Sequence, residues 1–436
     1  MSLPRQPNVV VLLTDQQRWD TTGLGGNPLG LTPHFDRMAR SGTHLPLFFT
    51  CQPVCAPARS CLQTGQYATR TGVYRNGLGL ASDAVTLADL FGRAGYHTGY
   101  IGKWHLAGNA KPGAVPQDRR GGYQYWLGAN ALEIVSDAYR TVVYDGDDQE
   151  VRLPGYRVDA ITDAAIRYID SHQHEPFFLF VSYLEPHHQN HRDDFPPPDG
   201  YRQPYTSTYI PPDLAALGGS THKHLGGYYG MVKRLDEALG RVRDALKSLE
   251  LQDDTTLFFT SDHGCHFRTR NGEFKRSCHE SSIHIPAAAY GPGFTGGGEV
   301  ASLVSLVDVA PTLLDAAGLP PEGGMQGRSL LPLLRDPKAP WPEEVFVQIS
   351  ESQVGRSIRT QRWKYAAVAP GKDGTKEPEA EVYADDQLYD LESDPYELTN
   401  LVQRPGMRGV LEQLRARLIE RMVQAGEPRP RIEPHA

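Results

Sequence analysis

Chemically active side chains follow four apolar stretches of this chain. Carboxylates, amides and imidazoles can hold a metal ion, and lysine or histidine can bind an anion or move a proton. A polar residue after a strand is often only a helix cap or a turn residue, but four such sets favour a shared site. The stretches and the groups that follow them are 8–14 with Asp15 and Gln16, 98–102 with Lys103 and His105, 176–183 with His187 and His188, and 255–261 with Asp262 and His263.

The segment "PVCAPARSCLQTG" (53–65) adds a candidate nucleophile, Cys55, with Arg59 four residues later. The commoner uses of cysteine are a zinc site, a disulfide and a buried thiol. The five cysteines include no CxxC pair and no pair followed by His-x₃-His, which disfavours structural zinc. Their odd number and low density disfavour a disulfide framework. A reactive thiol and a simply buried thiol both remain open for Cys55.

The elements that must position these groups alternate between apolar runs and amphipathic segments, which is typical of an α/β fold. The four apolar stretches lack polar alternation, so they are predicted to be buried strands of a mostly parallel sheet. Because ligands of such sheets bind outside the carboxyl ends of the strands, the four polar sets are expected to converge. Helices are predicted at 33–42 and 86–95, each closed by a glycine, and at 158–172, 225–249 and 308–318.

A change of composition divides the chain into two predicted domains. Residues 319–341 are rich in glycine and proline, a sign of a boundary. We predict a catalytic α/β domain over 1–340, with a large, mostly parallel mixed sheet flanked by helices. Short alternating runs and a charged helix near 406–424 predict a C-terminal α+β subdomain over 341–436, a small antiparallel sheet with a helix. The segment 185–224 has little periodicity and is either a substrate-facing loop or a surface excursion.

Composition argues against several classes of partner. With 39% hydrophobic and 22% charged residues, the chain is typical of globular proteins. Its net charge of −8, without a prominent basic face, argues against a nucleic-acid partner. The apolar run at the N-terminus, about seven residues, is too short for a signal-peptide core or a membrane span. We therefore expect no membrane partner and a cytoplasmic location, unless a leader has been removed.

The motifs of the chain, taken in order, resemble those of the type I sulfatases of the alkaline phosphatase superfamily. The family signature C-x-P-x-R stands here as Cys55-Ala56-Pro57-Ala58-Arg59, with Thr64-Gly65 behind it. The resemblance extends from about residue 8 to about residue 401 and implies hydrolysis of a sulfate monoester, a sugar or other alcohol O-sulfate. The other motifs are "LLTDQ" (12–16), "GKWHL" (102–106), "PHH" (186–188), "SDHG" (261–264), "KRSCHESSIHIP" (275–286) and the tail "WKYA…QLYDLESDPYELTNL".

The resemblance implies that a dedicated maturation enzyme oxidises Cys55 to formylglycine. A hydrated aldehyde carries two hydroxyls on one carbon. One hydroxyl attacks sulfur and displaces the alcohol, and the other then loses its proton as sulfate leaves and the aldehyde re-forms. A serine has a single hydroxyl, so its sulfate would have to wait for water to attack a hindered anionic sulfur.

The resemblance also assigns roles to the other catalytic residues. Arg59, one turn into a helix expected to begin at Pro57, would hold the diol through its planar fork. Two lysines would bind the sulfate oxygens, and two histidines would move protons, a task to which the imidazole group is suited. Lys103 and Lys275 are the lysines that would bind the sulfate oxygens. His105 would be the base, and His187 would bind sulfate and protonate the leaving alcohol.

One divalent cation is implied as well, held by Asp15, Gln16, Asp262, His263 and the modified Cys55. The commonest family pattern instead has a second aspartate at 16 and asparagine at 263. Gln16 removes one negative charge, and His263 offers a nitrogen donor. All-oxygen sites favour calcium or magnesium, whereas imidazole favours manganese or zinc. Calcium is the predicted ion, with manganese or magnesium as alternatives.

Four residues beside the motifs are predicted to contact the group that carries the sulfate, although solvated loop charge explains each of them equally well. They are His188, His191, His266 and Arg268. Glu280 is expected to orient Lys275.

Three other functions compete with sulfate-ester hydrolysis. A phosphonate monoester or phosphodiester hydrolase of the same superfamily is the nearest, because some share the glutamine after the first aspartate and the Asp-His pair. The Lys-x-His of "GKWH" argues against it. A non-catalytic binder of anionic sugars would require Cys55 to stay unmodified. A phosphomonoesterase like alkaline phosphatase would need serine or threonine at 55 and a second set of metal ligands.

Overall fold

The computed structural model describes residues 6–109, 111–322 and 324–435. The first five residues, part of the N-terminal stretch interpreted above, lie outside the described residues. Within the described ranges, no helix has both the length and the apolar character that crossing a membrane requires.

The strands of the described chain form two main sheets and one short pair. The large sheet has ten strands in the order β11-β2-β10-β9-β1-β8-β4-β5-β6-β7, and the small sheet has five in the order β13 to β17. The strands are β1 Asn8–Thr14, β2 Thr43–His44, β3 Phe48–Phe49, β4 His97–Lys103, β5 Tyr125–Ala129, β6 Thr141–Tyr144, β7 Glu150–Leu153, β8 Phe177–Ser182, β9 Thr255–Ser261, β10 Ala287–Tyr290, β11 Gly298–Glu299, β12 Val304–Ser305, β13 Glu344–Ile349, β14 Gly355–Thr360, β15 Trp363–Val368, β16 Val382–Asp390 and β17 Arg431–Glu433.

Helices cover the sheets. They are α1 Pro33–Ser41, α2 Cys55–Thr64, α3 Ala68–Thr71, α4 Leu87–Arg93, α5 Leu132–Val135, α6 Arg157–Ser171, α7 Pro212–Ala216, α8 Thr221–Ser248, α9 Glu280–Ile283, α10 Val309–Ala316, α11 Leu331–Arg335 and α12 Arg408–Gln424.

The central strands are apolar on both faces because both faces are covered. Val9, Val11 and Leu13 of β1 pack into a core shared with α2, α4, α10 and the small sheet. Val10 and Leu12 point to the opposite face and pack with α1, α6 and α8. This arrangement explains why β1 is an unbroken apolar run and not an alternating one.

The four strands predicted to deliver polar groups are neighbours in the sheet. β9, β1, β8 and β4 are adjacent and mutually parallel. The register pairs Thr14 with Ser261, so Asp15 and Asp262 leave the sheet side by side. The predicted convergence at the carboxyl edge is therefore confirmed.

The C-terminal sheet packs against the large domain and shares its core. Phe346, Ile358 and Tyr365 belong to the same apolar cluster as the helix α2 residue Leu62. The four predicted strands and the helix are present, so the predicted fold class is confirmed. One strand was not predicted: β17 adds to the sheet in parallel to β16.

Element bounds differ from the predictions by a few residues, and one cap differs in conformation. Gly42 after α1 has φ −113°, so this helix does not end in the left-handed turn that a closing glycine suggests. Gly95 after α4 has φ +88°, where glycine is favoured. The strands β5, β6, β7 and β10 were missed, since their short runs carry weaker periodicity than the four central ones.

Candidate active site

Cys55 stands at the first position of α2, two residues earlier than the predicted start at Pro57. Proline is tolerated in the first turn because the leading N–H groups of a helix have no acceptor within it. The peptide N–H of Ala56 donates instead to Asn76 Oδ1 at 3.1 Å. The positive end of the helix therefore faces the side chain of Cys55.

Cationic and imidazole groups surround the Cys55 sulfur, which is 1% exposed. Its Sγ lies 2.9 Å from Lys275 Nζ, 3.4 Å from His263 Nε2 and 3.8 Å from Lys103 Nζ. Burial raises the pKa of the Cys55 thiol, but the two lysines and His263 lower it further, so this pKa lies well below its usual value. The site therefore favours an anionic group at this position.

Arg59 joins the two acidic ends of β1 and β9. Its Nη2 donates to Asp15 Oδ2 at 3.0 Å and its Nε donates to Asp262 Oδ2 at 3.1 Å. Its Nη1 donates to the carbonyl of Lys103 and to Ser182 Oγ. The prediction that this fork holds the diol is therefore wrong for the described geometry. Its donors fix the carboxylates, because two buried acids on adjacent strands need a shared counter-charge.

A group of four ligand atoms can hold a metal ion: those of Asp15, Cys55, Asp262 and His263 lie within 4.8 Å of one another. Gln16, in the left-handed region at φ +74°, has a buried Oε1 without a hydrogen-bond partner in the described structure. The Nδ1 of His263 lies 3.0 Å from the carbonyl of Gly264, which can only accept, so Nε2 keeps its lone pair for the cluster. These residues fit a divalent cation with mixed oxygen and nitrogen donors.

Lys103 lies fully buried between two carboxylates. Its Nζ is 2.8 Å from Asp15 Oδ2 and 3.2 Å from Glu133 Oε1. Burial lowers the pKa of Lys103, but Asp15, the Cys55 thiolate and Glu133 raise it above its usual value. The ammonium is therefore held in its charged form, ready to bind an anion.

His105 and Glu133 form a pair that the sequence did not indicate. His105 adopts φ +62° and contributes to the low pKa of the Cys55 thiol. Its Nδ1 lies 4.0 Å from Glu133 Oε1. Because α5 is a four-residue helix after a short strand, no periodic pattern marks Glu133, and only its burial reveals it.

His187 reaches the site from the loop after β8. Its Nδ1 lies 2.6 Å from the carbonyl of His188 and must donate to it, so Nε2 faces Lys275 Nζ at 3.3 Å. The predicted catalytic residues are thus brought together: Cys55, Arg59, Lys103, His105, His187 and Lys275.

The four predicted substrate-contacting residues take different positions. His188 stacks on His187 and packs against Phe274, with its Nδ1 unpartnered in the described chain. His191 is exposed and lies near Asp137. Arg268 pairs with Asp193 and lies over the ring of Phe274. His266 is fully buried, with Nε2 at 2.9 Å from the carbonyl of Lys275, so it supports Lys275 and is not exposed to a ligand.

Glu280 was expected to orient Lys275, and this expectation is wrong. Its carboxylate lies 2.6 Å from Lys364 Nζ and 3.0 Å from His284 Nδ1. His284 lies four residues after Glu280, whereas Lys364 belongs to β15 and meets Glu280 only because the C-terminal sheet packs on α9. The carboxylate therefore joins the two domains and does not enter the site.

Glu351, between β13 and β14, contacts two segments that border Cys55. This side chain accepts the Asn76 N–H through Oε1 and Arg276 Nε through Oε2, each at 2.7 Å. Asn76 caps the helix of Cys55, and Arg276 follows Lys275. One carboxylate therefore holds segments on both sides of the site. The sequence did not indicate this arrangement, because Glu351 is 275 residues from Asn76 and 75 residues from Arg276.

Comparison with known proteins identifies the family. The sequence model described as Sulfatase matches residues 7–319. The chain belongs to the sulfatase family. A second model, N-sulphoglucosamine sulphohydrolase, C-terminal, matches residues 272–424. The family resemblance drawn from the motifs is confirmed, and the enzyme is a sulfuric ester hydrolase.

Individual similar proteins include two sulfatase-family members and one phosphonate hydrolase. An ulvan-active sulfatase of Formosa agariphila is 30% identical over 444 residues, covering 97% of this sulfatase and 82% of the relative. The structure of yidJ from Bacteroides fragilis, a sulfatase-family protein, has a TM-score of 0.86 at 25% identity and covers 98% of both chains. The phosphonate monoester hydrolase of Agrobacterium radiobacter has a TM-score of 0.74 at 25% identity, covering 96% of each chain.

Glu133→Gln is expected to lower kcat of this sulfatase about 10- to 100-fold, because a charge-assisted hydrogen bond to buried Lys103 is lost. Steady-state kinetics with an aryl sulfate measure the effect. Glu150→Gln is the matched control, since Glu150 is exposed and pairs with Arg152 on the same face of β7. Equal activity of Glu133→Gln and the control would show that Lys103 does not depend on this carboxylate.

Proposed function

We propose that this sulfatase cleaves the sulfate monoester of a saccharide or another alcohol, with a formylglycine made from Cys55 by a maturation enzyme as its nucleophile. The observation that carries the proposal is the cluster of charged groups around Cys55 Sγ. This sulfur marks the place that the reactive oxygens of formylglycine would take. Lys275, Lys103 and His263 all approach it within 4 Å. A buried structural thiol would lie among apolar groups, as Cys61 does.

In the proposed reaction, one hydroxyl of the formylglycine hydrate loses its proton to solvent and attacks sulfur as an oxyanion, and the bond from sulfur to the alcohol oxygen breaks. Lys103 and Lys275 hold the sulfuryl oxygens. His187 acts in this step as the imidazolium: its Nδ1 proton stays hydrogen-bonded to the carbonyl of His188, and its Nε2 proton passes to the leaving oxygen. His105 takes the proton of the second hydroxyl as the carbon–oxygen bond to sulfate breaks and the aldehyde re-forms.

The leaving group of the substrate is inferred from His187. An alcohol is a poor leaving group without protonation, whereas a nitrophenolate leaves unaided, so a proton donor beside the site favours an alcohol or sugar ester. The imidazole of His187 is 4% exposed and its Nε2 faces Lys275, where a sulfate ester would bind.

A divalent cation is proposed to be held by Asp15, Gln16, Asp262, His263 and the modified residue 55. When bound, it lowers the pKa of the attacking hydroxyl and accepts charge from the sulfuryl oxygens. The unpartnered Gln16 Oε1 supports its presence in the ligand set. Calcium is the proposed ion, with manganese or magnesium as alternatives, because four of the five donors are oxygens and one is an imidazole.

Two measurements on enzyme co-produced with the maturation enzyme test the proposal. Conversion of Cys55 lowers the mass of the tryptic peptide 41–59 by about 18 daltons, and the hydrate adds this mass back. The converted enzyme is expected to hydrolyse 4-nitrophenyl sulfate at least about 100-fold faster than 4-nitrophenyl phenylphosphonate, since hundredfold selectivity is 2.7 kcal/mol. Faster phosphonate hydrolysis would favour the phosphonate-hydrolase function. An unconverted Cys55, under conditions that convert another sulfatase, would favour an anionic-sugar binder.

A further inference from the structure

Arg75 carries a charge that no carboxylate meets among the described residues. Four other cations near the site have carboxylate partners: Arg59 and Lys103 pair with Asp15, Arg268 with Asp193, and Arg276 with Glu351. Arg270 has no carboxylate partner in the described chain, but it donates to the carbonyls of Tyr396 and Glu397 and so joins its loop to the C-terminal segment. Lys275, without a carboxylate partner in the described chain, lies against Cys55 and has a proposed ligand in the sulfate. Arg75 has none.

Arg75 lies on a loop that borders the nucleophile. The next residue, Asn76, accepts the N–H of Ala56, directly after Cys55. At the other end of the loop, Leu80 N donates to the carbonyl of Leu106 at 3.0 Å, and Gly79 forms a bridge with Ala107. The loop therefore runs from the helix of Cys55 to the segment that follows His105.

The guanidinium of Arg75 is fixed but incompletely satisfied. Its Nη1 donates to the carbonyl of Asn76 at 3.0 Å, and its Nε is buried without a partner in the described structure. Gly77 has φ +83°, and a Cβ there would lie 3.4 Å from Nη1, so the guanidinium rests over this glycine. The ring of Tyr74 is 6.0 Å from Cζ, the outer limit of a cation–π contact. A half-buried cation with an unmet donor costs free energy until an anion binds it.

We propose that Arg75 binds a second anionic group, a carboxylate or another sulfate, on the same saccharide whose sulfate ester is cleaved at Cys55. The planar fork of arginine suits both anions, since each offers two oxygens to paired N–H donors. The inference rests on the proposed function and narrows its substrate class to saccharides with at least two negative charges. Arg75 is thus a specificity residue and takes no part in bond cleavage.

The test compares Arg75→Gln with Arg70→Gln. Arg70 is an exposed arginine five residues before Arg75, and both residues follow the Cys55–Arg59 motif in the chain. Five probes are used, and three of them are 4-nitrophenyl sulfate, N-acetyl-D-glucosamine 6-O-sulfate and D-glucosamine 2-N,6-O-disulfate. The other two, methyl glucoside 2-sulfate and methyl glucuronide 2-sulfate, show whether Arg75 binds a carboxylate. Each saccharide is measured as a substrate by KM, or as a competitor of 4-nitrophenyl sulfate by Ki.

Arg75→Gln is expected to raise KM or Ki of at least one doubly anionic saccharide about 10- to 100-fold, the value of a charge-assisted hydrogen bond. The singly charged probes and kcat for 4-nitrophenyl sulfate should change less than about threefold, which is under 1 kcal/mol. The inference would be overturned if Arg75→Gln weakened binding of all probes equally or of none. It would also be overturned if wild-type enzyme bound the doubly charged saccharides no more tightly than the singly charged ones. Failure of wild-type enzyme to cleave any sulfate would instead contradict the proposed function.

Discussion

Cys55→Ala is expected to abolish sulfate-ester hydrolysis, lowering kcat by about 10⁵-fold or more, the scale seen when a nucleophile is removed. The physical reason is that Lys103, Lys275 and the metal-ligand set all converge on this one side chain. The fold should persist, because alanine fits the first turn of α2 and removes a group surrounded by charge. Turnover of 4-nitrophenyl sulfate and the thermal unfolding midpoint measure the two effects.

Cys61→Ala is the matched control for this variant. Cys61 lies in the same helix and is equally buried, but it packs in the apolar core away from the lysines. It should lose a little stability, about 1 kcal/mol as for a small cavity, and keep its activity. Substantial hydrolysis by Cys55→Ala would mean that another group, or a bound hydroxide, attacks sulfur.

Arg59→Gln should affect stability and catalysis together. Removing one partner of a buried ion pair costs about 3–5 kcal/mol, and here Asp15 and Asp262 both lose their shared counter-charge. Displacement of these carboxylates should lower kcat at least about 100-fold, the cost of misplacing reacting groups by about an ångström. Denaturant unfolding with calcium or manganese, and with a chelator, should also show weaker metal binding than in wild-type enzyme.

Arg356→Gln is the matched control for Arg59→Gln. Arg356 is a buried arginine of the small sheet, paired with Glu427 at 2.8 Å. Its loss should destabilise the enzyme by a similar amount while the folded molecules keep their activity and metal affinity. If Arg59→Gln retained wild-type stability and metal affinity and raised only KM, the arginine would bind the substrate, not the carboxylates.

The convergence of the site was predictable from the sequence because it depends on a general property of parallel sheets. Apolar runs with no polar alternation marked β1, β4, β8 and β9 as buried strands. Each run stops where its polar groups begin, so the groups had to meet at one edge. The motif around Cys55 added a predicted nucleophile and, together with the other motifs, the family, and the family match confirms the family.

Partners at long range were not predictable in the same way. Glu133 lies on a helix of four residues, Asn76 on a loop and Glu351 beyond the domain boundary, and no period in the sequence relates them to Cys55. The partners of Arg59 were also misassigned, because the sequence gives the spacing of Arg59 from Cys55 but not the direction of its side chain. Glu280 was misassigned for the same reason.

The sequence by itself determined which strands are buried, which chemical groups end them and, through the spacing of its motifs, the family of the enzyme. These properties depend on residues that are close in the chain. Only the tertiary structure decided which carboxylate meets which cation, and therefore that Arg75 is left without one. Buried charges must be paired, but the choice of partner depends on the packing of distant segments, and local patterns carry no information about it.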